Sequence, residues 1–200
     1  MGKIKGAILK LSIMLRRYGF VGAIFGASIF AAAQTPGKGT VSPGTVSTVP
    51  VTPFSDAQRG YASLKGNILK SADRMPAEDY SFRPTPEVRT FARVVNHVTE
   101  AQWHSCGAIN GTAAAAQPKL PEETADKATI VAALNASFAE CDKAFASLTE
   151  ANLLQMITLG PATRSRIGFA WGTVSHDNEQ YATLALYLRL KGLVPPSSEK

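Results

Sequence analysis

The chain has 200 residues, 45% of them hydrophobic and 18% charged, a composition typical of a globular protein rather than a disordered polyelectrolyte. Its net charge of +6 arises mainly in the first 33 residues, which contain five basic residues and no acid. The remainder has 16 basic and 15 acidic residues, so nothing indicates the strongly basic surface of a nucleic-acid-binding protein. No apolar run is long enough to suggest a multi-span membrane protein.

Residues 1–33 have the three-part pattern of a secretory signal peptide. A basic region (3–17) precedes an apolar stretch of 13 residues (18–30), and three alanines (31–33) then provide a small-residue cleavage site. A retained membrane anchor is the alternative, although a span needs about 20 residues. Both interpretations predict export to the periplasm or the extracellular space, with membrane contact only through an uncleaved segment.

Residues 34–53 are predicted to be a flexible linker. They are rich in Pro, Gly, Ser, Thr and Val and contain neither acidic nor aromatic residues, so they cannot form a core. The folded domain is therefore expected over residues 54–200, a length sufficient for one hydrophobic core.

Apolar periodicity predicts that this domain is helical throughout. Helix 1 is expected from Ser55 to Arg74, and helix 2 begins after a cap at Thr85 or Thr90 and ends near Asn110. Helix 3 covers about 126–148, a short helical turn follows at 150–156, and helix 4 covers about 165–191. Four helices with long connections predict an all-α bundle in which facing positions can form a site.

Several segments together resemble the DinB superfamily. They are RMPAEDYSFRP at 74–84, VRTF at 88–91, NHV at 96–98 and HDNEQYATLALYLRLKGLVPPSS at 176–198. The resemblance covers about residues 54–200. It implies a four-helix bundle in up-down-down-up order and, as in many members, a divalent metal such as zinc or nickel held by three histidines. Some members are thiol transferases, and many have no known activity.

The resemblance assigns the first two metal ligands to His97 and His176 and the third to Gln180. Gln180 departs from the family pattern, because a carboxamide oxygen is a much weaker ligand for zinc or nickel than an imidazole nitrogen. Three other residues are candidates to complete the site. Glu179 lies 100° from Gln180 around helix 4 and needs its length to reach the ion, and Asp177 lies 100° from His176 on the other side. His104 lies about 10 Å along helix 2 from His97, too far to share one ion without another helix between them. A hydrogen-bonded histidine pair without metal is the structural alternative.

The two cysteines, Cys106 and Cys141, are not spaced as a metal-binding pair. An exported protein with an even number of cysteines is expected to form a disulfide, and two buried free thiols are the alternative.

Two functions follow from these observations. The first is an exported, metal-dependent thiol transferase or hydrolase with a degenerate site at His97, His176 and Gln180. The second is a non-catalytic bundle that binds a small molecule or a partner and has lost the metal. The catalytic residues and the ligand remain unknown, and a homodimer is left open.

Overall fold

The computed structural model describes residues 51–199, so the predicted signal peptide (1–33) and the linker up to residue 50 lie outside the described residues. The four main helices are α1 (Pro53–Arg74), α2 (Phe91–Asn110), α3 (Lys127–Ala146) and α4 (Arg166–Leu190). The remaining elements are a hairpin of β1 (Met156–Leu159) and β2 (Ala162–Ser165) and three 3₁₀ turns, at Ala77–Asp79, Ala114–Ala116 and Pro196–Ser198. No helix within residues 51–199 is long and apolar enough to cross a membrane.

Each main helix begins at a side-chain cap, because its first backbone N–H groups have no partner within the helix. Thr52 caps α1, so the helix begins at Pro53, two residues before the predicted start. Thr90 Oγ1 accepts from Arg93 N at 3.0 Å, which selects Thr90 over Thr85 as the cap of α2. Asp126 and Ser165 cap α3 and α4 in the same way.

Along each main helix, apolar residues recur every three or four positions and form a stripe on one side of the helix. These stripes make up the core. In α1 every stripe position is buried, namely Ala57, Tyr61, Leu64, Ile68 and Ala72. The stripe of α3 is buried as well, at Leu134, Phe138, Cys141 and Phe145. Both α1 and α2 pack against α3 and α4, which is the four-helix arrangement expected for a DinB-type bundle. Trp171 of α4 lies outside this core and is 43% exposed.

Cys106 on α2 and Cys141 on α3 form a disulfide, as predicted, and both residues are fully buried. The bond joins positions 35 residues apart in the chain. It therefore fixes the spacing of α2 and α3 toward the C-terminal ends of both helices.

The β-hairpin corrects the prediction of helices throughout the domain. Residues 150–156 contain no helical element, and β1 pairs antiparallel with β2, with Ile157 opposite Arg164. Gly160 and Pro161 form the connection, and Gly160 has φ +55°, a conformation that glycine adopts without the steric cost of a Cβ. Ile157 and Leu159 pack against the core, so the hairpin covers one end of the bundle.

Candidate functional site

His97 on α2 and His176 on α4 are in direct contact. Their Nε2 atoms are 3.2 Å apart, and the ring planes meet at 72°. Both side chains are about one-quarter exposed, at 25% and 26%. The predicted metal ligands therefore lie together on neighbouring helices, although their role as ligands stays a prediction.

A carboxylate lies behind each ring. Glu100 Oε2 is 3.6 Å from Nδ1 of His97, and Asp177 Oδ1 is 3.6 Å from Nδ1 of His176. Both Nδ1 atoms are buried and form no hydrogen bond at these distances. Asp177 is not directed to the space between the two rings, because it faces the nitrogen of His176 that points away from His97.

The protons on the outer ring nitrogens depend on what the two Nε2 atoms share. If both histidines are neutral, only one Nε2 can donate to the other, and the donating ring then turns a bare Nδ1 lone pair toward a carboxylate. A single cation shared by the two Nε2 atoms leaves a proton on each Nδ1, facing Glu100 and Asp177. In metal sites the outer ring nitrogen usually donates a hydrogen bond to a carboxylate, a carbonyl or water. Here both carboxylates are 3.6 Å from that nitrogen, farther than such a bond.

Burial disfavours the protonated form of His97. Burial is the largest cause that lowers the pKa of His97, and the charges of Arg89 and His176 lower it further, while Glu100 opposes the shift. Because its neutral form is favoured, His97 has a nitrogen lone pair available as an acceptor or a ligand.

Asp177 is held by a buried chain of polar side chains. Ser137 Oγ donates to Gln102 Oε1 at 2.8 Å, and Gln102 Nε2 donates to Asp177 Oδ2 at 2.9 Å. Burial raises the pKa of the Asp177 carboxyl, while His176 and Gln102 oppose the rise. The chain links α3, α2 and α4 and restricts the orientation of the carboxylate behind His176. No pattern in the sequence predicts it, because its three members lie on three different helices.

Gln180 does not line the cavity beside the histidine pair. It is 6% exposed and lines a separate cavity of about 500 Å³ with Val94, Thr183 and Tyr187. Gln180 lies about one turn beyond His176 along α4, on the side away from the hairpin. The third predicted ligand is therefore near the histidine pair along the helix but directed to a different space.

His104 shares a cavity of about 510 Å³ with His97, His176, Glu100 and Gln117. A second cavity of about 400 Å³ also reaches His104 and His176, and it extends to Arg164 of the hairpin. All three histidines of the chain therefore line adjoining spaces along α2 and α4. Arg164 is a lining residue that the sequence patterns did not predict, although the Gly160–Pro161 pair between β-forming residues is typical of a hairpin.

The residues fit the family's metal only in part. Two imidazole nitrogens bound to one tetrahedral zinc at about 2.0–2.1 Å lie about 3.3 Å apart, close to the 3.2 Å between His97 and His176. No further metal-binding side chain joins these two nitrogens, because no group of three or more His, Cys, Asp or Glu side chains within residues 51–199 is placed to hold an ion. Within the described part of the chain, the histidine pair therefore offers two nitrogens without a third donor beside them.

Comparisons with known proteins support the bundle assignment. A crystal structure of a DinB-like protein from Bacillus cereus matches with a TM-score of 0.58 at 15% identity, covering 71% of this chain and 95% of that one. A conserved protein from Enterococcus faecalis matches with a TM-score of 0.56 at 14% identity, covering 70% and 98% of the two chains. At these identities the likeness shows the fold alone.

The search of curated proteins gives no significant match. The family model of the DinB superfamily matches residues 64–184, a segment that contains both histidines, Gln180 and the disulfide. This match covers more than half of the sequence, and the chain therefore belongs to the DinB superfamily.

Proposed function

We propose that His97 and His176 form a weak, two-nitrogen site for a divalent cation such as zinc or nickel. The observation that carries the proposal is the 3.2 Å contact between the two Nε2 atoms, with a carboxylate behind each ring. A site with two protein ligands leaves further coordination positions for water or for a bound small molecule. Its affinity is expected to fall below that of a three-histidine site.

A cation at this position would supply Lewis-acid chemistry to a molecule in the adjoining cavities. The chain's own residues would orient and restrict that molecule. His97 and His176 would hold the cation, Asp177 and Glu100 would keep the protons on the outer ring nitrogens, and His104 would border the bound molecule. A hydrolase or thiol transferase activity is the enzymatic form of this proposal.

The second candidate is a ligand-binding bundle that holds no cation. The position of Gln180 favours it, since this side chain lines a different cavity and supplies no third donor to the histidine pair. In this alternative the two rings share a hydrogen bond, and the cavities along α2 and α4 bind a small molecule without chemistry.

Export is also a proposal, and it is supported by the buried disulfide. Disulfides form and persist in oxidising compartments such as the periplasm and the extracellular space. The Cys106–Cys141 bond therefore agrees with the signal peptide predicted from residues 1–33.

The deciding experiment is a titration with Zn²⁺ and Ni²⁺ after treatment with EDTA, followed by calorimetry and by thermal unfolding. Wild-type protein should bind weakly, and His97→Ala should abolish binding. Gln180→His should not tighten binding, because position 180 lines a cavity separate from that of the histidine pair. Added metal should raise the Tm of wild type, because a ligand that binds only the folded state stabilises it.

The matched control is Gln155→His, which introduces the same residue at an exposed position on the hairpin side and should behave as wild type. If calorimetry detects no binding to wild type and its melting curves with and without metal coincide, the cation site is refuted and the cation-free candidate stands.

A further inference from the structure

The cavity under the hairpin has apolar walls and a positively charged rim. It has a volume of about 400 Å³ and lies between the hairpin, α2 and α4. Its apolar walls are formed by Ala101, Leu159, Pro161, Ala162 and Phe169. The volume falls within the range of pockets that hold small organic molecules.

The charge at the rim belongs to Arg164. Arg164, like several other arginines, forms no ion pair with a carboxylate in the described part of the chain, whereas Arg59, Arg74 and Arg93 each form one. Its guanidinium lies across α4, with Nη1 3.5 Å from the place that a Cβ at Gly172 would occupy. The arginine is thus directed along the cavity wall without a protein counter-ion.

None of the described residues that line this cavity is acidic. Its other polar side chains are His104, Ser105 and His176. Glu100 lines the adjoining cavity instead. An unpaired guanidinium beside apolar walls, with no carboxylate in the lining, is complementary to a molecule that has one anionic group and an apolar body.

We propose that this cavity binds a small organic acid, with its carboxylate on Arg164 and His104 and its apolar part against Phe169 and Leu159. A guanidinium is well suited to this role because its parallel N–H groups bind both carboxylate oxygens. The inference deepens the proposed function, since His176 borders the same cavity, and it would bring the acid beside the histidine pair. Binding of the acid itself requires no cation.

The test uses hexanoate as the probe and hexanamide as its neutral counterpart of similar shape. Binding to EDTA-treated protein is measured by ligand-detected and amide-detected NMR. Hexanoate should bind and shift the resonances of His104, Arg164 and Phe169, and hexanamide should bind at least tenfold more weakly. Added NaCl should weaken hexanoate binding, because the contact with an exposed guanidinium is screened by salt.

The variant Arg164→Gln keeps a polar side chain and removes the charge, and it should weaken hexanoate binding about tenfold. Arg83→Gln, in the exposed loop before α2, is the matched control and should leave binding unchanged. Circular dichroism confirms that both variants are folded. Equal binding of hexanoate and hexanamide, an unaffected Arg164→Gln variant, or shifts confined to other parts of the protein would each overturn the proposal.

The same titration separates this inference from the proposed cation site. Hexanoate binding in EDTA together with an absence of zinc binding would retain the organic-acid site and reject the cation site. Zinc binding without hexanoate binding would do the reverse.

Discussion

Helix α2 contacts its two neighbours through interfaces of opposite character. Toward α3 it is closed by the buried Cys106–Cys141 disulfide and by the buried hydrogen bond between Gln102 and Ser137. Toward α4 it has the half-buried His97–His176 pair, with cavities along the same seam. One face of the helix is therefore filled and cross-linked, and the other keeps room for a ligand.

This difference indicates how the bundle can hold an open site. Cavities cost stability, because the atoms around them lose packing contacts. A cross-link on the opposite face of α2 offsets such a cost, since it lowers the entropy of the unfolded chain. Substitutions at the interface of α2 with α3 should therefore lower the free energy of unfolding. Substitutions at the interface of α2 with α4 should change the affinity for a ligand.

The largest expected effect is the loss of the disulfide. The double variant Cys106→Ala/Cys141→Ala should lower the free energy of unfolding by about 3–4 kcal/mol, as estimated for a closed loop of 35 residues. Denaturant unfolding measures this loss. At temperatures where the variant is still folded, its hexanoate and metal binding should equal that of wild type.

A reductant supplies the control for this prediction. It should lower the Tm of wild type and leave the double variant unchanged. If wild type has two alkylatable thiols without reductant, the disulfide between α2 and α3 does not form and the prediction is wrong.

A smaller effect is expected at Glu140 on α3, which links α3 to the end of α2. Thr112 Oγ1 donates to Glu140 Oε1 at 2.7 Å, and Lys143 lies 3.4 Å from Oε2. Burial alone would raise the pKa of Glu140, but polar contacts with Asn110, Thr112 and Lys143 outweigh it and lower the pKa below its ordinary value of 4.5. The charged form therefore stabilises the folded state above that pH.

Glu140→Gln should reduce the free energy of unfolding at pH 7 by about 1–2 kcal/mol. The difference from wild type should shrink as the pH falls below about 4.5 and vanish below the lowered pKa, because wild-type Glu140 is then protonated as well. Urea unfolding at several pH values tests this, with the exposed Glu150→Gln as control. A difference that is constant with pH would show that the charge of Glu140 does not matter.

The smallest effect concerns the hairpin that covers the α4 side. Gly160→Ala places a Cβ on a residue with φ +55° and should cost about 1 kcal/mol. The same substitution at Gly66, inside α1 where an added Cβ meets nothing within 4 Å, should stabilise by about 0.8 kcal/mol. A lower Tm for Gly160→Ala together with a higher Tm for Gly66→Ala would support the turn geometry. A higher Tm for Gly160→Ala would contradict it.

Much of the bundle could be predicted from the sequence. The stripe of Ala57, Tyr61 and Ile68 in α1 is buried as its periodicity indicates, and Gly192, with φ +74°, follows the end of α4. The histidine pair could be predicted only through the family resemblance, since spacing within one helix carries no information about the neighbouring helix. The hairpin was missed because its two strands are only four residues long, too short for an alternating pattern to stand out in the sequence.

Local sequence information thus determined the four helices and most of their caps, because periodicity and capping act between residues three or four apart. Only the tertiary structure decided that Asp177 and Glu100 lie behind the two rings, that Gln180 lines another cavity and that Arg164 reaches across α4. These placements depend on the rotation and height of each helix against its neighbours. Rotation and height are set by the packing of all four helices at once, and no short stretch of the chain contains that information.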